Sequence, residues 1–193
     1  LGEGPLWHPE RQQFFWFDIR SRKLHTRTAQ GRKSWDFNAH ASAAGWIDRD
    51  QLLIADQYSL FLFNIESGQS DHVCALEAGI SLTRSNDGRA DPFGGFWVGT
   101  IGLKGEAEAG AIYRYYKGEL RQLYPSITVP NSICFSPDGL YAYFTDTGIG
   151  MIWRQRLEQA DATADIVRSF DGVMCLRQAN AGPAAGSARR SGS

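Results

Sequence analysis

The chain has 193 residues, of which 42% are hydrophobic and 12% aromatic, and its formal net charge is -1 at pH 7. This length and composition suit one globular domain with a sizeable core. The near-neutral charge argues against a nucleic-acid partner or an anionic membrane, because there is no basic excess to bind phosphates. No apolar run approaches the roughly 20 residues that span a bilayer, so we expect no membrane association.

The cysteines and histidines give little sign of chemistry. The three cysteines are odd in number and widely spaced, so they form neither a zinc pattern nor an evident disulfide framework. A reducing, cytoplasmic location is therefore expected. The four histidines show no metal-ligand spacing, and no Ser–His–Asp arrangement can be inferred.

A strand followed by aspartate recurs along the chain. The repeats are FFWFDI (14–19), LLIADQ (52–57) and YFTDT (143–147), and between the last two GGFWVGT (94–100) carries Gly99 where the others carry Asp. Each is followed by a turn and a further strand. Short strands at this spacing, without a convincing amphipathic helix, predict an all-β fold of the β-propeller type. The sequence accounts for about four blades, which leaves the ring incomplete.

The most complete repeat runs from Pro130 to Arg154. Its turn, Ser-Pro-Asp-Gly at 136–139, uses proline to preset one position and glycine to supply positive φ. The runs on either side are aromatic and β-branched, which favours strands. This unit therefore predicts one blade.

Glu3 and Asn131 each stand at the start of an innermost strand of the predicted propeller. Such positions point towards one shared axial site, and an anionic and a neutral oxygen donor suit a divalent cation. The alternative is structural, with Glu3 merely exposed and Asn131 capping a turn.

Arg84 and Asn86 alternate within SLTRSNDGR, which places both side chains on one face of an extended segment. They could donate hydrogen bonds to the hydroxyls or the carboxylate of a ligand. The structural alternative is an Asn-Gly-type turn beside a solvated arginine. By contrast, the recurrence of Asp18, Asp56 and Asp146 predicts structural carboxylates that accept backbone N–H bonds after each strand.

The composition changes after Gly172. Residues 173–193 contain no acidic and no aromatic residue, although all 21 acidic residues precede them. We therefore divide the chain into a partial propeller, 1–172, and an aberrant tail, 173–193, which cannot bury enough apolar surface to become ordered and which suggests a frame shift or an altered terminus.

LGEGPLWHPERQQFFWFDI, RSNDGRADPFGGFWVGT with GAIYR, and PNSICFSPDGLYAYFTDT resemble the SMP-30/gluconolactonase/regucalcin-like family, in family order and spacing. The resemblance implies a six-bladed propeller with one divalent metal ion (Ca, Zn, Mg, Mn or Fe). It implies that Glu3 and Asn131 are metal ligands and that Arg84 and Asn86 bind substrate. The third ligand and general base of the family, an aspartate, would fall near Leu176, inside the aberrant tail, so no catalytic residue is assigned.

By resemblance, the expected function is metal-dependent hydrolysis of sugar lactones, with a small sugar lactone as the partner and with activity impaired by the missing ligand. An open propeller edge also offers a route to self-association. The alternative is a non-catalytic propeller that binds a protein or another ligand on its rim and holds no metal.

Overall fold

The computed structural model describes residues 2–157 and the backbone of one further short strand, Leu176–Arg177. Its regular elements are strands, grouped as four antiparallel sheets that each follow chain order. The first sheet contains β1 (Gly2–His8), β2 (Gln13–Asp18), β3 (Lys23–Thr28) and β4 (Gly31–Asp36). The second contains β5 (Ala43–Trp46), β6 (Gln51–Ala55), β7 (Ser59–Asn64) and β8 (Ser70–Ala75).

The third sheet contains β9 (Thr83–Ala90), β10 (Phe96–Gly102), β11 (Gly110–Tyr116) and β12 (Glu119–Ile127). The fourth contains β13 (Pro130–Phe135), β14 (Tyr141–Asp146), β15 (Met151–Arg156) and β16 (Leu176–Arg177). Four meandering sheets in sequence confirm the prediction of four propeller blades, here numbered 1 to 4. The boundary predicted at residue 172 lies outside the described residues, as does the predicted tail apart from the backbone of Leu176–Arg177.

The core lies between successive blades. Three buried apolar clusters fill the junctions between blades 1 and 2, blades 2 and 3, and blades 3 and 4. Leu52, Leu53 and Ile54 of β6 are all buried, because blade 2 has a neighbour on both faces. Successive side chains of a strand point to opposite faces, so each middle blade contributes alternate residues to two clusters.

The outer face of blade 1 has no apolar cover among the described residues. Trp7 and Phe14 lie opposite each other in the β1–β2 ladder and are 53% and 43% exposed. Phe14 stacks on Trp16, which in turn stacks on His25. This exposed aromatic face agrees with the expected incomplete ring.

The structure contains the turn that the sequence predicts at residues 136–139. In the predicted 136–139 turn, the Gly139 N–H donates to the Ser136 carbonyl at 2.9 Å and Gly139 adopts φ +71°. Within the described residues there is no helix with the length and apolar character needed to cross a membrane.

Candidate metal and substrate site

The first strands of the four blades surround one axis. β1 contacts β5 and β9, β5 contacts β9, and β9 contacts β13. β9 is thus the strand that touches both β1, which carries Glu3, and β13, which carries Asn131. Arg84 and Asn86 lie on β9 itself, so the fold brings all four predicted site residues to the inner strands.

Glu3 and Asn131 are presented by the same backbone device. In β1 the pairing passes from Glu3–Phe17 to Leu6–Phe15, and in β13 it passes from Asn131–Thr145 to Cys134–Tyr143. Each strand thus carries one extra residue, a β-bulge, which bends the strand and changes the direction of nearby side chains. The residue after each site residue is left-handed: Gly4 has φ +56° and Ser132 has φ +58°.

Glycine is required at position 4 for a second reason. A Cβ atom there would lie 2.2 Å from the backbone oxygen of Ser42 in the link to blade 2. Gly4 therefore lets the chain bend next to Glu3 where β1 packs against the neighbouring blade.

β9 contains a third bulge, at Asn86 and Asp87 opposite Gly99. When the blades are aligned on their bulges, Thr100, which pairs with Ser85, corresponds to Phe17, which pairs with Glu3. The next residue, Ile101, therefore occupies the position that Asp18 and Asp146 occupy in blades 1 and 4. The predicted alignment of Gly99 with the repeating aspartates is wrong by two residues. The sequence repeat could not show this, because it indicates that a strand is present but not its register with the neighbouring strand.

A continuous chain of hydrogen bonds joins the site residues. Arg84 Nη1 donates to Asn86 Oδ1 at 3.0 Å, and Asn86 Nδ2 donates to Asn131 Oδ1 at 2.9 Å. Asn86 Nδ2 also donates to the Pro130 carbonyl at 2.9 Å, and Asn131 Nδ2 donates to Thr147 Oγ1 at 3.3 Å. Blade 3 is thereby linked to blade 4 at the start of β13, and the carboxamides of Asn86 and Asn131 are held in defined orientations.

Glu3 acts electrostatically on the same network. Burial lowers the pKa of Arg84, the negative charge of Glu3 raises it, and the positive charge of Arg20 lowers it. The Glu3 carboxylate thus interacts electrostatically with the Arg84 guanidinium. Arg20, in the β2–β3 loop, is a second cation near the site that sequence reasoning missed, because nothing in the local sequence distinguishes it from other exposed arginines.

The repeating aspartates have the predicted structural role. Asp18 accepts from the Ser21 N–H at 3.1 Å, and Asp56 accepts from the Tyr58 and Ser59 N–H groups at 2.8 Å. Asp146 accepts from the Thr128 and Val129 N–H groups at 2.9 Å, and so fixes the segment that leads into Asn131.

The donor set fits a hard divalent cation. Glu3 and Asn131 supply one anionic and one neutral oxygen, the ligand types that Ca²⁺, Mg²⁺ and Mn²⁺ prefer. In the described part of the chain, His, Cys, Asp and Glu side chains do not gather in groups of three that could hold a metal. The third ligand expected near Leu176 lies outside the described side chains.

The chain is similar in sequence to proteins that are named as sugar lactonases. The "Putative sugar lactone lactonase" of Rhizobium meliloti (strain 1021) is 42% identical over 164 residues, which cover 84% of this chain and 55% of that protein. The L-arabinolactonase of Azospirillum brasilense is 33% identical over 158 residues, which cover 76% of this chain and 51% of that protein.

Among solved structures, regucalcin from Agrobacterium tumefaciens str. C58, described as a calcium-binding protein, superimposes with a TM-score of 0.79. It is 39% identical, over 82% of this chain and 54% of that chain. The chain thus spans about half the length of the relatives it matches.

Fold and site together define a β-propeller with a polar cluster where its inner strands meet. The sequence model of the SMP-30/Gluconolactonase/LRE-like region matches residues 1–180. The chain therefore belongs to the SMP-30/gluconolactonase/LRE-like family.

Proposed function

We propose that this protein hydrolyses sugar lactones with the help of one divalent cation held by Glu3 and Asn131. The observation that carries the proposal is the hydrogen-bonded chain from Arg84 through Asn86 to Asn131, with the charge of Glu3 acting on Arg84. This chain joins a group that could bind substrate to a group that could bind metal. The names of the lactonase relatives support the reaction type.

In the proposed reaction, the oxygen of water adds to the lactone carbonyl carbon and the ring C–O bond breaks, giving a hydroxy acid. A bound divalent cation would polarise the carbonyl and lower the pKa of the attacking water. A carboxylate must accept the proton of that water. By family resemblance this base is the aspartate expected near Leu176, outside the described side chains.

Arg84 is suited to hold the substrate. Among the described residues its hydrogen bonds run from Nη1 to the Ser85 carbonyl at 2.8 Å and to Asn86 Oδ1 at 3.0 Å. The other N–H groups of the planar guanidinium fork can then donate to sugar hydroxyls or to the carboxylate product. The two bonds at Nη1 fix the plane of the fork before the substrate arrives.

Asn86 has a double role in this proposal. Both hydrogens of Nδ2 are directed to protein oxygens, those of Pro130 and Asn131, so this nitrogen orients the site rather than the substrate. Its Oδ1 accepts from Arg84 and keeps a second lone pair, which a sugar hydroxyl can use. We therefore assign direct binding chiefly to Arg84.

The proposal is tested by gluconolactone hydrolysis with and without Mn²⁺, Zn²⁺ or Ca²⁺, together with calorimetric titration of each metal. We expect Glu3→Gln and Asn131→Ala each to weaken metal binding at least about 10-fold. Glu119→Gln, on an exposed outer strand, serves as the matched control and should change neither. Hydrolysis without metal that is unaffected by Glu3→Gln would contradict the proposal.

The alternative of a non-catalytic binding module makes the opposite prediction. Such a protein would bind no divalent metal, and it would tolerate Glu3→Gln and Asn131→Ala without loss of ligand binding. The titration therefore separates the two functions even where turnover is slow.

A further inference from the structure

Asp87 and Arg89 both reach from β9 to a single residue of the next blade. Asp87 Oδ2 accepts from the Ile133 backbone N–H at 2.7 Å, and Arg89 Nε donates to the Ile133 carbonyl at 3.1 Å. Two side chains of blade 3 therefore bind both backbone polar groups of one residue in blade 4. Neither contact belongs to the hydrogen-bond chain through Asn86.

Ile133 is one of the two residues of the β13 bulge that share a single partner position on β14. The ladder with β14 passes from Asn131–Thr145 to Cys134–Tyr143, so Ser132 and Ile133 together face one residue of β14. A bulge leaves backbone groups without ladder partners, and buried backbone groups must find partners elsewhere. Asp87 and Arg89 provide those partners for Ile133.

The bulge also contains a strained residue. Ser132 has φ +58°, a left-handed conformation that costs a non-glycine residue roughly 1–2 kcal/mol. Such a conformation persists only where surrounding contacts impose it. The side chain of Asn131 comes directly before this strained residue, so its direction depends on the bulge.

We propose that Asp87 and Arg89 act as a clamp between blades 3 and 4 that holds the β13 bulge and thereby directs Asn131 towards the axis. They are positioning residues, since they touch neither metal nor substrate in this scheme. The inference rests on the proposed function, in which Asn131 is a metal ligand. It assigns a role to the Asp of the Asn-Asp-Gly segment, which the turn signal alone would have placed in an exposed turn.

The chemistry of the clamp explains its residue types. Asp87 is half-buried and interacts with the backbone amides of Ile133, Gly88 and Ser132. A carboxylate accepts several N–H bonds, whereas an asparagine would turn an NH₂ group towards some of these donors. The positive charge of Arg89 also offsets the charge of Asp87, so the pair adds little net charge beside the site.

The test compares Asp87→Asn with Asp91→Asn. Asp91 is a buried carboxylate in the same blade that accepts from the Phe93 and Gly95 N–H groups at 2.9 and 2.8 Å and from the side chains of Trp97 and Arg114. We expect both substitutions to lower the free energy of unfolding. Only Asp87→Asn should weaken Mn²⁺ binding in calorimetric titration, by about 10–100-fold, the usual effect of a lost outer-shell partner.

Three further experiments keep the test decisive. Hydrogen exchange of the Ile133 amide should accelerate in Asp87→Asn and not in Asp91→Asn. If Asp87→Asn folds poorly, Arg89→Gln, which removes the second contact, should still weaken Mn²⁺ binding. Ser132→Gly should restore part of the Mn²⁺ affinity to either variant, because glycine adopts positive φ without the clamp.

The outcomes separate the clamp from the proposed function. If Asn131→Ala weakens Mn²⁺ binding but Asp87→Asn and Arg89→Gln do not, the clamp is wrong and the metal site stands. If Asp91→Asn weakens binding as much as Asp87→Asn, the effect is general destabilisation and the clamp is wrong. If Asn131→Ala has no effect on Mn²⁺ binding, the proposed function fails and the clamp falls with it.

Discussion

The carboxamide of Asn86 has a protein partner at each of its polar atoms. Nδ2 donates to Pro130 and to Asn131, while Oδ1 accepts from Arg84. The residue is 8% exposed, so solvent can do little to replace these bonds when they are lost. Changes at Asn86 should therefore disturb both the arginine and the second asparagine.

We expect Asn86→Ala to reduce stability by about 1–3 kcal/mol, because the buried Pro130 carbonyl loses its donor. Mn²⁺ affinity should fall by about 10–100-fold as Asn131 becomes free to rotate. The matched control is Asn64→Ala, since Asn64 Oδ1 accepts from the Glu66 and Ser67 N–H groups in a turn of blade 2. Calorimetric titration and urea unfolding of both variants check the prediction, and equal metal affinity in the two would contradict it.

His25 provides a pH prediction on the exposed face of blade 1. Burial lowers its pKa from the ordinary 6.5, and the positive charge of Arg32 lowers it further. The unfolded chain then binds the proton more readily than the folded one, so the stability contribution is complete above about pH 6.5 and is lost as the pH falls through that region. His25→Gln should show a smaller loss of stability between pH 7 and pH 5 than the parent protein does.

The effect of Arg32 on the pKa of His25 can be measured by direct titration. Arg32→Gln should raise the pKa of His25, measured from the imidazole C2 proton by NMR. Arg27 lies on β3, as His25 does, and Arg27→Gln is the control, which should leave the pKa of His25 unchanged. A His25 pKa above 6.5 in the parent would show that burial does not dominate.

Residues of the candidate site could be named from the sequence only where a motif contained them. Glu3, Arg84, Asn86 and Asn131 stand in segments whose order and spacing are typical of the family. Asp87 was not predicted, because its partner is the backbone of Ile133, 46 residues away. Which backbone amides a carboxylate meets depends on how two blades pack, and a single sequence carries no signal for that.

At the scale of the elements, β-bulges mark the strands that carry the candidate site residues. β1, β9 and β13 each contain one, whereas the β5–β6 pairing runs from Ala43–Ala55 to Trp46–Leu52 without a shift. The three bulged strands carry the predicted site residues, and the regular strand carries none of them. The sequence repeat predicted the strands but placed Gly99 two residues away from its true register, because a repeat of residue types does not report which residues of two strands pair.

A substitution at Gly4 tests whether the β1 bulge contributes to stability and to the position of Glu3. Gly4→Ala would force a positive φ on alanine and place Cβ against the Ser42 carbonyl, so we expect a loss of about 2–5 kcal/mol in unfolding free energy. Mn²⁺ affinity should fall as well, because Glu3 moves with the bulge. Gly2→Ala is the matched control on the same strand, since no atom lies within 4 Å of its Cβ position.

Gly2→Ala should change stability by no more than about 0.5 kcal/mol. Urea unfolding and calorimetric titration of both variants give the two readouts. If Gly4→Ala destabilises the protein but leaves metal affinity unchanged, Glu3 does not depend on the bulge for its position.

At the scale of the whole molecule, stability comes from junctions between neighbouring blades. The cluster between blades 1 and 2 and the cluster between blades 3 and 4 share no residue. The repeat in the sequence predicted this arrangement, because small sheets with apolar runs need neighbours to cover them. The sequence did not show which residues face which junction, since in β6 consecutive apolar residues serve both faces.

Separate junctions predict additive effects of distant mutations. Leu52→Ala belongs to the first junction and should cost about 2–5 kcal/mol, whereas Ile112→Val belongs to the third and should cost about 0.5–1.5 kcal/mol. The double variant should match the sum within about 0.5 kcal/mol, because the two sites have no common partner. Leu52→Ala with Phe63→Leu is the comparison, since these residues lie directly opposite each other in one cluster and should couple by more than that. Urea unfolding of the single and double variants measures both coupling energies. Strong coupling between Leu52 and Ile112 would show that the two junctions do not contribute independently to stability.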